Sequence, residues 1–193
     1  MRIARDLLGK ILVTRFGNDR TSGRIVEAEA YGGEPDQASH AFGGRRTRRT
    51  EVMYQAGGTA YVYLCYGMHH LFNVVTNMKG IPHAILIRAI EPMEGISTML
   101  ARAGKEELTP SLTRGPGNVG RALGLDRIHS GHSLLGEEIF IEDDGYRVRK
   151  ADLGVSVRIG VQYAGKDAQL PYRFFIRGNR YVSGNRGVNP GKP

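Results

Sequence analysis

The sequence is short of cysteine, of lysine and of long apolar runs, and each shortage removes a class of explanation. A single cysteine, Cys65, occurs among 193 residues. No internal disulfide can staple the chain, so the fold does not call for an oxidising compartment and a reducing cytoplasm fits best. Of the 27 basic residues, 6 are lysine and 21 arginine. Generic solubility does not explain that bias, whereas planar, bidentate recognition of phosphates and bases does. The N-terminal run MRIARDLLGKILVTRFG lacks the apolar core and small-residue cleavage site of a secretory signal and reads as the amphipathic start of a domain, so export is not expected. The 27 residues between Glu51 and Lys79 contain no Asp, Glu, Lys or Arg, but they include Gln55, Gly57, Gly58, His69, His70 and Asn73. Two buried strands joined by a tight turn account for this stretch better than a membrane span.

What is present is positive charge. Asp plus Glu number 19 against 27 basic residues, a net charge of +8 and a sequence pI near 9.8. Polyanions are the natural partners, nucleic acid ahead of a membrane surface.

The length is enough to bury a core. No repeat, low-complexity linker or break in composition divides the chain, so one domain over residues 1–193 is expected, with an irregular tail over 184–193. Strand signals fall at 11–15, 23–31, 59–66, 71–77, 84–90, 139–142, 155–161 and 172–177. Helix signals are fewer: 3–10, 93–102 with Pro92 near its start, and 118–123 behind Gly115, Pro116 and Gly117. Strands linked by short turns, without regular intervening helices, point to an α+β fold. The expected form is a curved mixed or antiparallel sheet with a protruding hairpin and peripheral helices.

Two surface features follow from charge. The loop 32–50 carries Arg45, Arg46, Arg48 and Arg49 within five positions, either a solvated basic loop or a contact surface for phosphates; the overall charge favours phosphates. The acidic run Glu137, Glu138, Glu142, Asp143 and Asp144 should face away from any bound polyanion.

Two constellations could carry chemistry. In GRIVEAEAY, strand alternation puts Glu27, Glu29 and Tyr31 on one face and Val26, Ala28 and Ala30 on the other. An ordinary strand with an exposed acidic face would share this pattern, but carboxylates beside a surface that attracts DNA need a reason. In TAYVYLCYGMHHLFN, Tyr61 and Tyr63 share a face. Tyr66 lies at the tip of a hairpin that Gly67 allows to reverse, next to Met68. Tyr61 reads as packing, whereas an aromatic tip suits a wedge between base steps. His69 and His70 point to opposite faces of a strand and lack metal-ligand spacing, so no metal is expected.

The runs ARDLLGKILV, GRIVEAEAYGGEPDQASHAFGG, GTAYVYLCYGMHHLFNVV, LIRAIEP, RGPGNVGRALGL and RIGVQYAGKDAQLPYRFFIRG occur in order and cover nearly the whole chain. In these motifs the sequence resembles the alkyladenine (3-methyladenine) DNA glycosylase family, monofunctional repair enzymes that excise purines, in its compact bacterial form.

The resemblance implies roles residue by residue. Glu29 would activate the water that attacks the deoxyribose C1′, and Tyr31 would stack on the flipped base. His40, four places after Asp36, would line the base pocket opposite Tyr63. Tyr66 would intercalate into the gap left by the extruded nucleotide, with Met68 following it into the minor groove. Asn73 would obstruct the 2-amino group of guanine. Arg88 of LIRAIEP would help hold the water and an adjacent phosphate, and the backbone near Ile159 would complete the water site.

The sequence departs from the family pattern at Ser39 beside the histidine, in a longer segment between Asn73 and Arg88, and in the density of the arginine cluster. The implied partner is double-stranded DNA bearing damaged purines, with no cofactor, no metal and no membrane, and with a monomer in the cytoplasm, associated with the nucleoid, as the default. The chemistry implied is glycosidic hydrolysis by one carboxylate and water, without a lysine Schiff base, leaving an abasic site. Two other readings are a non-enzymatic nucleic-acid binder, which leaves Glu29 unexplained, and a small-molecule transferase, which leaves the charge and arginine bias unexplained.

Overall fold

The computed structural model describes residues 1–184; most of the expected tail, 185–193, lies outside them. Strands β1 (Ile11–Phe16), β2 (Asp19–Tyr31), β3 (Thr59–Cys65), β4 (His69–Thr76), β5 (His83–Glu94), β6 (Ile139–Glu142), β7 (Leu153–Ser156) and β8 (Arg173–Ile176) form one sheet with helices α1 (Arg2–Leu7), α2 (Ile96–Ala103) and α3 (Pro116–Ala122) around it. The strand order is β3-β4-β5-β2-β1-β6, with β8 pairing both β2 and β7. Every strand pair is antiparallel, so the α+β expectation holds in its antiparallel form. The long β2 supports the arrangement: its first half pairs β1, its second half pairs β8, and β5 runs along its other side.

One face of the sheet is apolar. Ala28, Ala30, Val62, Phe72, Val74, Ile85, Ile87 and Phe174 alternate inward and pack with Met99 of α2 and Val119 and Ala122 of α3. Truncating the fully buried Phe72 to alanine removes a large part of that packing, about 3–5 kcal/mol. The other face is roofed by irregular segments. Met53 and Tyr54, in a 3-10 turn, pack with Tyr61, Val75 and Ala84, and Ala38 meets Val161 and Ala164 beside Tyr31.

Several sequence-derived boundaries are corrected. The helix expected at 93–102 begins at Ile96, because β5 continues through Pro92 to Glu94 alongside β2, with Gly23 opposite Pro92 and Ser22 opposite Glu94. Gly95, at φ 67, makes the turn into the helix. The first helix ends at Leu7, where Leu8 turns extended. The strand expected at 155–161 stops at Ser156. Beyond it, Arg158 enters a buried ion pair and the Ile159 N–H bonds a side chain, so the backbone leaves the ladder.

The acidic run sits at the β6 edge, five strands from the β3 edge. There Glu142 bonds Arg20, Asp143 bonds Lys10 and Arg147, and Asp144 bonds Arg24.

Candidate active site

The antiparallel register builds the site. Tyr61 lies opposite Asn73, Asn73 opposite Leu86, Leu86 opposite Glu29, and Glu29 opposite Arg173. Directly opposed residues share a face, so one row across five strands carries these side chains to the roofed side of the sheet. The β2–β5 ladder is irregular at this point: Ala28 faces Ile87 and Glu27 faces Ala89, which leaves Arg88 without a ladder partner. Such bulges re-aim side chains near active sites, and here the Arg88 guanidinium reaches both glutamates of β2.

Glu27 and Glu29 are both fully buried, so the exposed acidic face is ruled out. Glu29 Oε1 accepts the Ile159 N–H at 2.7 Å, and Oε2 accepts the Tyr31 hydroxyl at 2.9 Å and Arg88 Nη1 at 3.2 Å. Burial pushes its carboxyl above the ordinary carboxylate range; Arg88, the Ile159 amide and Tyr31 pull the other way without cancelling the shift. Burial and the neighbouring Glu29 likewise raise the Tyr31 hydroxyl well above its usual value, so Tyr31 stays a hydrogen-bond donor.

Tyr31, His40, Tyr61, Tyr63, Asn73 and Tyr163 line an inner cavity of about 40 Å³. It shares Tyr31, His40, Tyr63 and Tyr163 with an adjoining groove of about 570 Å³, floored by Arg88 and bordered by Tyr66, Ile159 and the Gly115–Asn118 turn. His40 Nδ1 is 2.8 Å from the Tyr61 hydroxyl, and its ring meets Tyr63 edge-on at 4.6 Å. Burial, and then the charges of Arg49 and Arg45, push the His40 imidazole down to about 4, so it is neutral at pH 7. Tyr61 is buried packing, as expected, and also orients His40. Asn73 Nδ2 donates to the carbonyls of Tyr61 and Leu71, which fixes its carboxamide beside the cavity.

The β3–β4 hairpin places Tyr66 at its tip, 88% exposed, with Met68 68% exposed beside it. Tyr66 and Gly67 both have positive φ, 50° and 69°. Glycine takes that conformation freely, whereas a tyrosine is strained by about 1–2 kcal/mol. α3 braces the hairpin from below, with Gly117 and Gly120 so close to His69 and the His70 carbonyl that a Cβ at either would collide. His69 and His70 are thus support for the hairpin. In the arginine loop, Arg46 is paired with Glu51 and lies over Tyr54. Arg45, Arg48 and Arg49 are exposed.

Three further residues belong to this region. Arg158 is buried against Asp36, at 2.6 and 2.9 Å, between the rings of Tyr31 and Tyr172. Arg173 bonds Glu27, and Tyr163 stands at the mouth of the cavity with its hydroxyl donating to the Ala38 carbonyl. The sequence offered a weak signal for the arginines, a cation inside RIGV and another inside YRFFI, where strands are otherwise apolar; nothing marked Tyr163.

The family model for methylpurine-DNA glycosylase matches residues 1–180. The chain belongs to the methylpurine-DNA glycosylase family. Curated relatives match over most of the length. Provisionally named 3-methyladenine DNA glycosylases are similar to it: one from Bacillus cytotoxicus is 45% identical over 189 residues, covering 94% of this chain and 93% of the relative. One from Desulfitobacterium hafniense is 42% identical over 188 residues, covering 94% and 92%. One from Alkaliphilus oremlandii is 42% identical over 190 residues, covering 95% and 93%. As a methylpurine-DNA glycosylase the protein is a DNA-repair enzyme that hydrolyses N-glycosyl bonds, so the readings as a binding module or a small-molecule transferase are set aside. Among the described residues, no helix is long and apolar enough to cross a membrane.

Proposed function

We propose that the enzyme turns alkylated or deaminated purines, 3-methyladenine, 7-methylguanine, hypoxanthine and ethenoadenine among them, out of duplex DNA and releases them with a water activated by Glu29. The observation that carries this reading is the buried Glu29 carboxylate, fixed at both oxygens and raised in basicity, beside a cavity walled by aromatic rings. A carboxylate so placed removes a proton from water and faces the positive charge that develops on the sugar as the glycosidic bond breaks. Excision then falls away as pH drops through the raised value of Glu29, because protonation removes the base.

A base inside a duplex hides its glycosidic bond, and extruding it costs a few kcal/mol, least for damaged pairs. The exposed Tyr66 fills the vacated stack and Met68 follows into the minor groove. The base enters through the groove, since the inner cavity of about 40 Å³ has room only for water. Tyr31 and Tyr63 present ring faces to it, and a cationic 3-methyladenine gains cation–π attraction that a neutral base does not. A protonated His40 would oppose that cation, and its low pKa keeps the pocket free of that repulsion. Asn73 obstructs the 2-amino group of guanine, a cost that a cationic 7-methylguanine offsets by cation–π attraction and a neutral guanine does not. Arg88, buried on the two glutamates, acts on Glu29 and the water rather than on phosphate. Arg45, Arg48 and Arg49 contact phosphates, and the protein works as a monomer in the cytoplasm, on nucleoid DNA.

Among the described residues, no lysine lines the cavity or the groove, so hydrolysis by water leaves an intact abasic strand. The test is base release from methylated DNA and from duplexes holding hypoxanthine or ethenoadenine, with and without alkali. Breaks that appear only after alkali support the reading; breaks without alkali, or no release of any of these bases, overturn it.

A further inference from the structure

The mechanism above uses one of the two buried carboxylates of β2, and the other is held just as firmly. Glu27 Oε1 accepts Arg173 Nε at 2.7 Å and Arg88 Nε at 3.1 Å, while Oε2 accepts the Ser183 N–H at 2.7 Å. Arg173 is itself fixed, donating to Ser156 Oγ and the Ser183 carbonyl. The guanidinium of Arg88 therefore bridges two carboxylates, Nε to Glu27 and Nη1 to Glu29. The two glutamates and two arginines make a neutral set of four, in which Arg88 lines the groove and Glu29 meets it through Tyr31 and Ile159, while Glu27 and Arg173 lie behind them.

Resting on the reading of Glu29 as the base, we propose that Glu27 is a positioning residue that tethers Arg88 on the side away from the pocket, so that Arg88 steadies Glu29 by a single hydrogen bond without neutralising it. A bidentate Arg88–Glu29 pair would occupy both carboxylate oxygens with a cation and make a poor base. Sharing Arg88 with Glu27 prevents that pairing. The bulge that leaves Arg88 unpaired in the ladder sets its side chain between the two acids.

The titratable and charged groups that act on Glu29 are Arg88 from β5, Tyr31 and Glu27 from β2, Tyr63 from β3 and Arg158 from the segment after β7. Among them Glu27 is the negative charge. Neutralising it leaves a net positive set around Glu29 and frees Arg88 to swing toward it, so both effects lower the basicity of Glu29.

The experiment is the pH profile of single-turnover excision from a hypoxanthine duplex by the full chain, for wild type, Glu27→Gln, Glu27→Asp and Glu29→Gln. In Glu27→Gln the acidic limb moves to lower pH by about one unit. The plateau rate falls by up to about tenfold, as expected for a weaker base, while the affinity for DNA is unchanged. Glu27→Asp keeps the charge but withdraws the carboxylate by one methylene, and its limb falls between the two; it decides the matter if Glu27→Gln does not fold. A folded Glu27 variant whose limb stays where wild type has it would overturn the proposal and reduce Glu27 to a structural ion pair. Full excision by Glu29→Gln would instead overturn the reading of Glu29 itself, which separates the two failures.

Discussion

Asp36→Asn is the sharpest probe of how the site is held together. The Asp36–Arg158 pair is closed to solvent, with side chains 3% and 0% exposed. Asp36 also accepts the amides of Gly32 and Ala38, and Arg158 also donates to the carbonyls of Ala30 and Asp167. The pair ties the loop that carries His40 to the segment that carries Ile159 and Tyr163, and it backs the ring of Tyr31. Replacing the carboxylate with an amide leaves the Arg158 cation buried without a counter-charge, a loss of about 3–5 kcal/mol from a total that is typically about 5–15 kcal/mol. For a chain of this size the melting temperature falls by roughly 2–4 °C per kcal/mol, hence by about 6–20 °C. Adding Arg158→Met removes the orphaned charge, so the double variant is less destabilised than the sum of the single ones.

The pH dependence has a definite sign. Burial alone would raise the Asp36 carboxyl, but the Arg158 guanidinium and the two amides hold it below the ordinary carboxylate range. A carboxyl lowered in the folded state contributes stability that is full above its unfolded value, about 3.9, and is lost as pH falls toward the folded one. Urea melts from pH 8 to pH 3 should show a constant gap between wild type and Asp36→Asn that narrows only below about pH 4. A loss under about 1 kcal/mol, the range of an exposed pair, or a gap that widens with acid would refute the clamp.

Tyr66→Ala should lower kcat/KM for excision by about 5- to 150-fold, the equivalent of the 1–3 kcal/mol typical of base–aromatic stacking. Tyr66→Gly should be equally impaired yet melt at or above the wild-type temperature, since glycine relieves the positive φ; a Tyr66→Gly protein with normal excision would end the wedge role. Replacing Arg45, Arg48 and Arg49 together with alanine should flatten the slope of log affinity against log salt by roughly 2–3, about 0.9 for each phosphate no longer neutralised. Arg46→Ala, whose partner is Glu51, should leave that slope unchanged in the same filter-binding series, and an equal flattening for both would contradict the assignment of phosphate-binding arginines.

The strands were legible because their apolar residues alternate, and Tyr61, Asn73 and Glu29 stood out along them, though not their alignment in one row. Glu27 and Glu29 could be put on one face from period alone. That the face is buried could not be read, because the roof comes from loops with no periodicity. The partners of Glu27 are 61, 146 and 156 residues away along the chain, and no local pattern announces such pairings. Pro92 looked like a helix start because proline favours that position, yet it sits in β5 where the β2–β5 register is irregular. The segment after Ser156 looked like a strand because its valines and isoleucine alternate with other residues. It is instead committed to Glu29 through the Ile159 N–H and to Asp36 through the Arg158 side chain. Tyr163 carries no signal because its place at the cavity mouth depends wholly on tertiary packing.

Glu29 is the centre of the account, and the most direct measurement compares wild type with Glu29→Gln for DNA affinity and base release on one hypoxanthine duplex. Glutamine keeps the shape and can still accept from the Ile159 amide, so binding should hold within about a factor of a few while excision falls by at least about 10²–10⁴-fold, the scale of lost general-base catalysis. Excision by Glu29→Gln within tenfold of wild type, with the fold intact, would contradict the assignment of Glu29 as the base.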